Sequence, residues 1–260
     1  MRYNTLVVDE SGRGYAPRQI RSGPMGETKL TFKRYEKKYL LSARQYPEVL
    51  ERLGPYIEPD EYHRSTVCSV YYDGDDYHLI RHSIERPVYK EKLRLRAYNL
   101  ASPEDEVFVE LKKKYKGIVY KRRVPMSETQ AERWLSGESG PPEDGQMVRE
   151  IQWFLRENRP APRVLIACDR TAWRSKEDRE LRITFDENIR WRETELHLSA
   201  GSKGEPLLEN GDVLMELKIP GAAPLWLARL LSDEKLFPTS FSKYGTCYRE
   251  HLLQNYFGNC

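Results

Sequence analysis

Charged and apolar residues trade places one for one along this chain, and that two-residue period limits what it can fold into. Lys90, Lys92, Arg94 and Arg96 recur at every second position against Leu93, Leu95 and Ala97. Arg34, Glu36 and Lys38 share the same spacing, as do Glu110, Lys112 and Lys114 against Val109 and Leu111. Lys121 and Arg123 fall together, Glu180, Arg182, Thr184 and Asp186 oppose Leu181, Ile183 and Phe185, and Glu216 and Lys218 oppose Met215 and Leu217. Side chains at i and i+2 of a strand share one face, about 6.6 Å apart. Each stretch therefore predicts a strand with one apolar and one charged side.

The elements between these runs complete an α+β pattern. The spacing predicts strands over 32–42, 65–73, 88–99, 107–115 and 117–126, the last two joined by a tight turn at Lys116-Gly117. Helices are expected after Ser42, ending at Gly54-Pro55, then just after "DGDD" (73–76), and over "SETQAERWLSG" and "MVREIQWFLRENR". "RVLIACDRTAWRS" and "RELRITFDENIRWRE" predict a hairpin around "KED", and the segment after "DVLMELKIPG" predicts two more helices. Antiparallel strand pairs with helices inserted between them argue against a doubly wound parallel sheet. Residues 1–28, polar and rich in glycine and proline, are expected to be a mobile tail, with a single domain over 29–257.

One solvated sheet face would give the same alternation. The charged faces here, however, are dominated by arginine and lysine, and like charges opposed across strands are destabilising. Charged residues make up 32% of the 260-residue chain and the net charge is only +3, lower than a strongly basic nucleic-acid binder usually carries, so no nucleic-acid partner is expected and the local distribution of charge matters more. A sheet closed into a barrel, apolar outside under helices and charged inside, would gather them around an anion. Arginine binds phosphate oxygens bidentately, and carboxylates suit a hard divalent cation that bridges to phosphate.

The ordered motifs "RYEKKYLL", "VYYDGDDYHLI", "KLRLRAYN", "VELKKKYKG", "YKRR", "CDRTAW", "LRITFD", "MELKIP" and "FSKYGT" carry a family resemblance. The chain resembles the triphosphate tunnel metalloenzyme (CYTH-like) superfamily and, within it, the VTC domain, the catalytic domain of a polyphosphate polymerase, over roughly residues 30–255. The resemblance implies an antiparallel eight-stranded β tunnel with a charged lumen and helices packed outside. It implies transfer of the γ-phosphate of ATP to a growing polyphosphate chain, with Mn²⁺ or Mg²⁺ as cofactor. The positions matching the family's basic residues are Arg94, Arg96, Lys112 and Lys243, taken as catalytic, with Lys38, Lys121, Arg170 and Arg182 as phosphate-binding; Lys218 and Ser242 join that second set. Glu216 matches the metal-binding glutamate, and Glu36 is the second metal candidate. The wider superfamily begins its motif Glu-x-Glu-x-Lys; here Arg34 stands in the first place. Hydrolysis of triphosphate, with Glu110 orienting a water, and non-catalytic polyanion binding are the alternative readings.

Other motifs read as structural. His78 and His82 have zinc-compatible spacing but no third ligand nearby, and "DGDD" lacks the full ligand order of a calcium loop. The four cysteines form no metal or disulfide pattern. No apolar run is long enough to span a bilayer and no signal peptide is evident, so a cytoplasmic protein is expected.

Overall fold

The computed structural model describes residues 35–254 except 100, 101, 117, 142 and 209, together with the backbone of two short strands, β1 (Val7–Val8) and β2 (Gly14–Tyr15). The chain divides into two units, 1–33 and 34–260. In the first, β1 and β2 pair antiparallel; the tail expected over 1–28 otherwise lies outside the described residues.

The second unit runs β3 (Tyr35–Leu41), α1 (Gln45–Leu53), β4 (Ile57–Asp73), α2 (His78–Ile84), β5 (Tyr89–Tyr98), β6 (Glu106–Tyr115), β7 (Ile118–Ser127), α3 (Glu128–Leu135), α4 (Gln146–Asn158), β8 (Ala161–Ser175), β9 (Arg182–Arg192), β10 (Glu205–Pro206), β11 (Val213–Ile219), α5 (Leu225–Asp233) and α6 (Lys243–Cys247), which continues into a π-turn, Tyr248–Leu252. The main sheet has the order β3-β11-β9-β8-β4-β5-β6-β7, all antiparallel, with β10 added on β9. The predicted period holds through it. Leu93, Leu95, Val107, Val109 and Leu111 pack outward beneath Ala131 and Trp134 of α3 and Ile151 and Phe154 of α4. Tyr39, Leu41, Ile183, Phe185, Met215 and Leu217 pack outward beneath Val49 and Leu53 of α1 and Leu227 and Leu230 of α5.

The opposite face curls on itself. Lys38 on β3 donates to the carbonyl of Phe241 at 3.3 Å, and Lys92 on β5 donates to the neighbouring Ser242 hydroxyl at 3.1 Å, although β3 and β5 lie far apart in strand order. The sheet nevertheless does not close into the expected barrel: β3 and β7 are its two ends and do not pair. On the outer edge of β3, Thr239 N–H, from the segment before α6, donates to Lys38 O at 2.7 Å in a single bridge.

One half of the concave face is apolar. Val67, Tyr71, Ile166, Cys168 and Leu214 point inward there and are covered by Ile80 of α2, Tyr244 and Cys247 of α6, and Tyr248 and Leu252 of the π-turn. Buried Asp73 ties these helices together. It accepts N–H bonds from Gly74, Leu79 and Ile80 and the Tyr244 hydroxyl at 2.9 Å. The charged residues fill the other half. β4 starts earlier than its apolar run predicts, because Glu58 on "EPDEYHR" finds Arg174 of β8 at 2.8 Å and Ile57 pairs with Ser175.

Candidate functional site

Three lysines stand in one row across adjacent strands: Lys92 faces Lys112, and Lys112 faces Lys121. Directly opposed like charges destabilise a sheet unless something lies between them. Lys121 turns to Glu110 at 2.7 Å and Lys92 to Ser242, while Lys112 has no carboxylate within ion-pair distance among the described residues. Burial pushes the Lys112 ammonium down, with Glu36 opposing and Lys38 adding to that shift through the lumen. Burial likewise pushes Lys92 down to about 8, with Lys90, Lys112 and Lys38 adding to it.

The next row is compensated. Arg94, Glu110 and Arg123 lie in register. Arg94 reaches Glu110 through Nε at 2.8 Å and a terminal nitrogen at 2.7 Å, and Arg123 reaches it through Nε at 2.7 Å. Glu110 is 1% exposed; burial alone would raise its pKa, but Arg94, Arg96 and Lys121 hold it far below the usual carboxylate range. Arg96 donates to the Ser69 hydroxyl at 3.0 Å and lies against Tyr98, and burial pushes it down. Tyr71 accepts from Arg94 at 3.4 Å; burial opposes its ionisation, yet Arg94 and Arg96 bring the phenol down to about 8.

A second ionic knot sits across the lumen. Arg170 grips Asp186 with Nε and a terminal nitrogen, at 2.6 and 2.7 Å, and Lys243 donates to the same carboxylate. Asp186 has no exposed surface; burial would raise it, but Lys243 and Arg170 hold it far below its ordinary range. Lys243 is the first residue of α6, and its N-cap Ser242 accepts from Gly245 N–H.

Beside this knot, Glu216 and Lys218 of β11 face Lys38 and Glu36 of β3 in register. Lys38 lies 3.7 Å from Glu36 and 3.8 Å from Glu216, and Lys218 lies 3.5 Å from Glu216. Burial would raise the Glu216 carboxyl, but Lys38, Lys218, Arg170 and Lys243 hold it below its ordinary value. Glu216 and Glu36 are the hard oxygen donors on one face of these strands that could hold a divalent cation, with the Lys38 ammonium within ion-pair distance of both. Across β11, Thr184 faces Glu216 in register; it is 8% exposed and its hydroxyl has no partner among the described residues.

The sequence-predicted residues are thus brought together, with one at the margin. Arg182, half-exposed, faces Lys218 in register and lies 3.7 Å from Asp60. Lys92, Thr184 and Asp186 lie on the alternating faces and inside the motifs "KLRLRAYN" and "LRITFD", but nothing in the sequence singles them out from their neighbours as site residues. Tyr71 lies in "VYYDGDDYHLI", where its apolar surroundings point to core.

The antiparallel sheet is curled, and its concave face gathers more cations than carboxylates. The VTC domain family matches residues 33–251, and the chain belongs to that family. Among solved structures, a Bacillus halodurans protein described as a "putative adenylate cyclase" aligns over 80% of this chain and 92% of its own, at 14% identity and a TM-score of 0.50. A Vibrio parahaemolyticus protein of the same description covers 83% and 97%, at 14% identity and a TM-score of 0.44. No curated protein sequence matches the chain.

Proposed function

We propose that this domain is a polyphosphate polymerase that transfers the γ-phosphate of ATP to a polyphosphate chain held in the lumen. The observation that carries this reading is the lysine row, Lys92, Lys112 and Lys121, beside the arginines Arg94 and Arg96; among the described residues Lys92 and Lys112 have no carboxylate within ion-pair distance. Unpaired buried cations cost several kcal/mol each, and a polyanion relieves that cost at Lys92 and Lys112. Lys38, Lys121, Arg170, Arg182, Lys218 and Ser242 bind phosphate oxygens, while Arg94, Arg96, Lys112 and Lys243 face the transferred group. Glu216 and Glu36 would hold Mn²⁺ or Mg²⁺, which supplies charge neutralisation between phosphates.

Transfer needs little covalent help from the protein. A terminal oxygen of the acceptor attacks the γ-phosphorus in line, the bond to the β-phosphate oxygen breaks, and ADP leaves with the electron pair. Cations fixed before the reaction stabilise the spreading charge. An anionic acceptor needs no general base. A water would need one, and the two most buried lumen carboxylates are already saturated: Glu110 by Arg94, Lys121 and Arg123, and Asp186 by Arg170 and Lys243. This favours transfer over hydrolysis. Incubating the protein with ATP and Mn²⁺ should yield ADP and long polyphosphate in step. Free phosphate without polymer would establish the hydrolase instead, and tight polyphosphate binding without turnover a non-catalytic binder.

Thr184 gives a sharper test of where the ligand lies. Thr184→Val keeps the shape and removes a buried hydroxyl without a partner, so stability should hold or rise by up to ~1 kcal/mol. Affinity for a non-hydrolysable triphosphate should fall about tenfold, because a charge-assisted bond is lost. Unchanged affinity in calorimetry would remove Thr184 from the site.

The pH dependence has a defined sign. As pH rises past about 8, Lys92 loses a positive charge and Tyr71 gains a negative one. Both changes weaken anion binding, so triphosphate affinity should drop about tenfold between about pH 7 and 9. Lys92→Arg, which stays charged, should flatten that profile.

A further inference from the structure

Large apolar side chains gather in the open where β5 begins and β6 turns into β7. Val88, Tyr89, Tyr115, Ile118, Val119 and Tyr120 are all exposed, Ile118 at 58% and Val88 at 63%. They are neighbours: Tyr115 pairs with Tyr89 on one side and Ile118 on the other, and Lys116 N–H donates to Val88 O at 2.9 Å. A contiguous apolar patch of this kind marks an interaction site, whereas scattered exposed residues need no explanation. By register Tyr89, Tyr115, Ile118 and Tyr120 share the outer face of the hairpin end, while Val119 lies in the row of Lys114 and Lys90 at its rim.

The charge around the patch says what covers it. Residues 112–121, "KKKYKGIVYK", hold five lysines and no acid. Glu91 and Glu150, the carboxylates beside this hairpin, are bound by Lys113 at 3.5 and 3.4 Å, and Glu150 also by Arg122 at 3.1 Å. Lys114 and Lys116 are exposed, and Lys114 faces Lys90 in register at this end of the lumen. Burial pushes Lys90 down, and Lys114, Arg86 and Lys112 add to the shift.

We propose that this hairpin end is a docking surface for an anionic lipid bilayer. Tyrosine favours the headgroup level of a membrane. Ile118 and Val119 at the turn reach the acyl boundary, and Lys114 and Lys116 meet the lipid phosphates. A second copy of the chain would bring lysines against lysines, which disfavours it as the occupant. Docking holds the Lys90–Lys114 end of the lumen against the membrane surface, while the described residues include no helix long and apolar enough to cross one.

The test is flotation of the full chain with phosphatidylcholine vesicles, with and without phosphatidylserine. Binding should be about tenfold stronger on the anionic vesicles and should weaken at high salt. Ile118→Ser combined with Val119→Ser should lower it about tenfold, with turnover in vesicle-free solution unchanged. Equal binding to both vesicles, no binding, or binding indifferent to the double variant would overturn the proposal. So would a dimer in light scattering that the double variant converts to monomer, since a second copy would then cover the patch.

Discussion

Arg94→Ala should lower turnover of the nucleoside triphosphate about 10²–10³-fold while the domain stays folded. That is the usual loss when one preorganised donor is withdrawn from developing charge. The fold should survive because Glu110 keeps Lys121 and Arg123 as partners at 2.7 Å each. The remaining cost is about 1–3 kcal/mol, that of one charged hydrogen-bonded contact. Arg94→Lys restores the charge but not the two-pronged grip on Glu110, so it should recover only part of the rate. Circular dichroism alongside kcat/KM separates the two effects. Near-parental kcat/KM in the alanine variant would remove Arg94 from the reaction.

Asp186→Ala should do the reverse and attack stability first. It strands Arg170 and Lys243 in a buried site, and breaking one side of a buried ion network costs about 3–5 kcal/mol. For a domain of this size that corresponds to a drop of roughly 10 °C in melting temperature. A bound triphosphate would neutralise the two stranded cations, so ligand should raise the variant's melting point more than the parent's. A melting point within a degree or two of the parent's would show that Asp186 is not what holds the knot. The acid limb follows the same logic. The Asp186 and Glu110 pKa values lie below those of the unfolded chain, so both carboxylates stabilise the fold at neutral pH. That contribution fades as pH falls below about 5 toward the folded-state values.

The lumen was legible in the sequence because a strand sorts its side chains by parity. Lys92, Arg94 and Arg96 could point nowhere but away from Leu93 and Leu95, and the structure keeps that division. The open seam was not legible. Whether β3 meets β7 is decided between residues distant in the chain, and the bridge found on the β3 edge instead, from Thr239, comes from a loop of no regular pattern. The early start of β4 was hidden for another reason. "EPDEYHR" has no apolar period, and the segment is strand because Glu58 and Ile57 find partners on β8. Tyr71 reads as core from sequence and is core for most of its ring, stacking on Tyr244 at 4.6 Å, yet its hydroxyl meets Arg94. Residues that serve both halves of the concave face cannot be sorted by period alone.

The Lys38–Phe241 contact joins positions 203 residues apart. Closing such a span carries an entropic cost that contacts local in sequence avoid. Lys38 and Lys243 therefore face one lumen only after nearly all of the domain has been synthesised and α6 has docked. A chain still emerging from the ribosome exposes its basic strands without the arrangement that makes them a site. Cellular polyanions can meet those strands as loose charge, but the assembled site exists only in the finished fold.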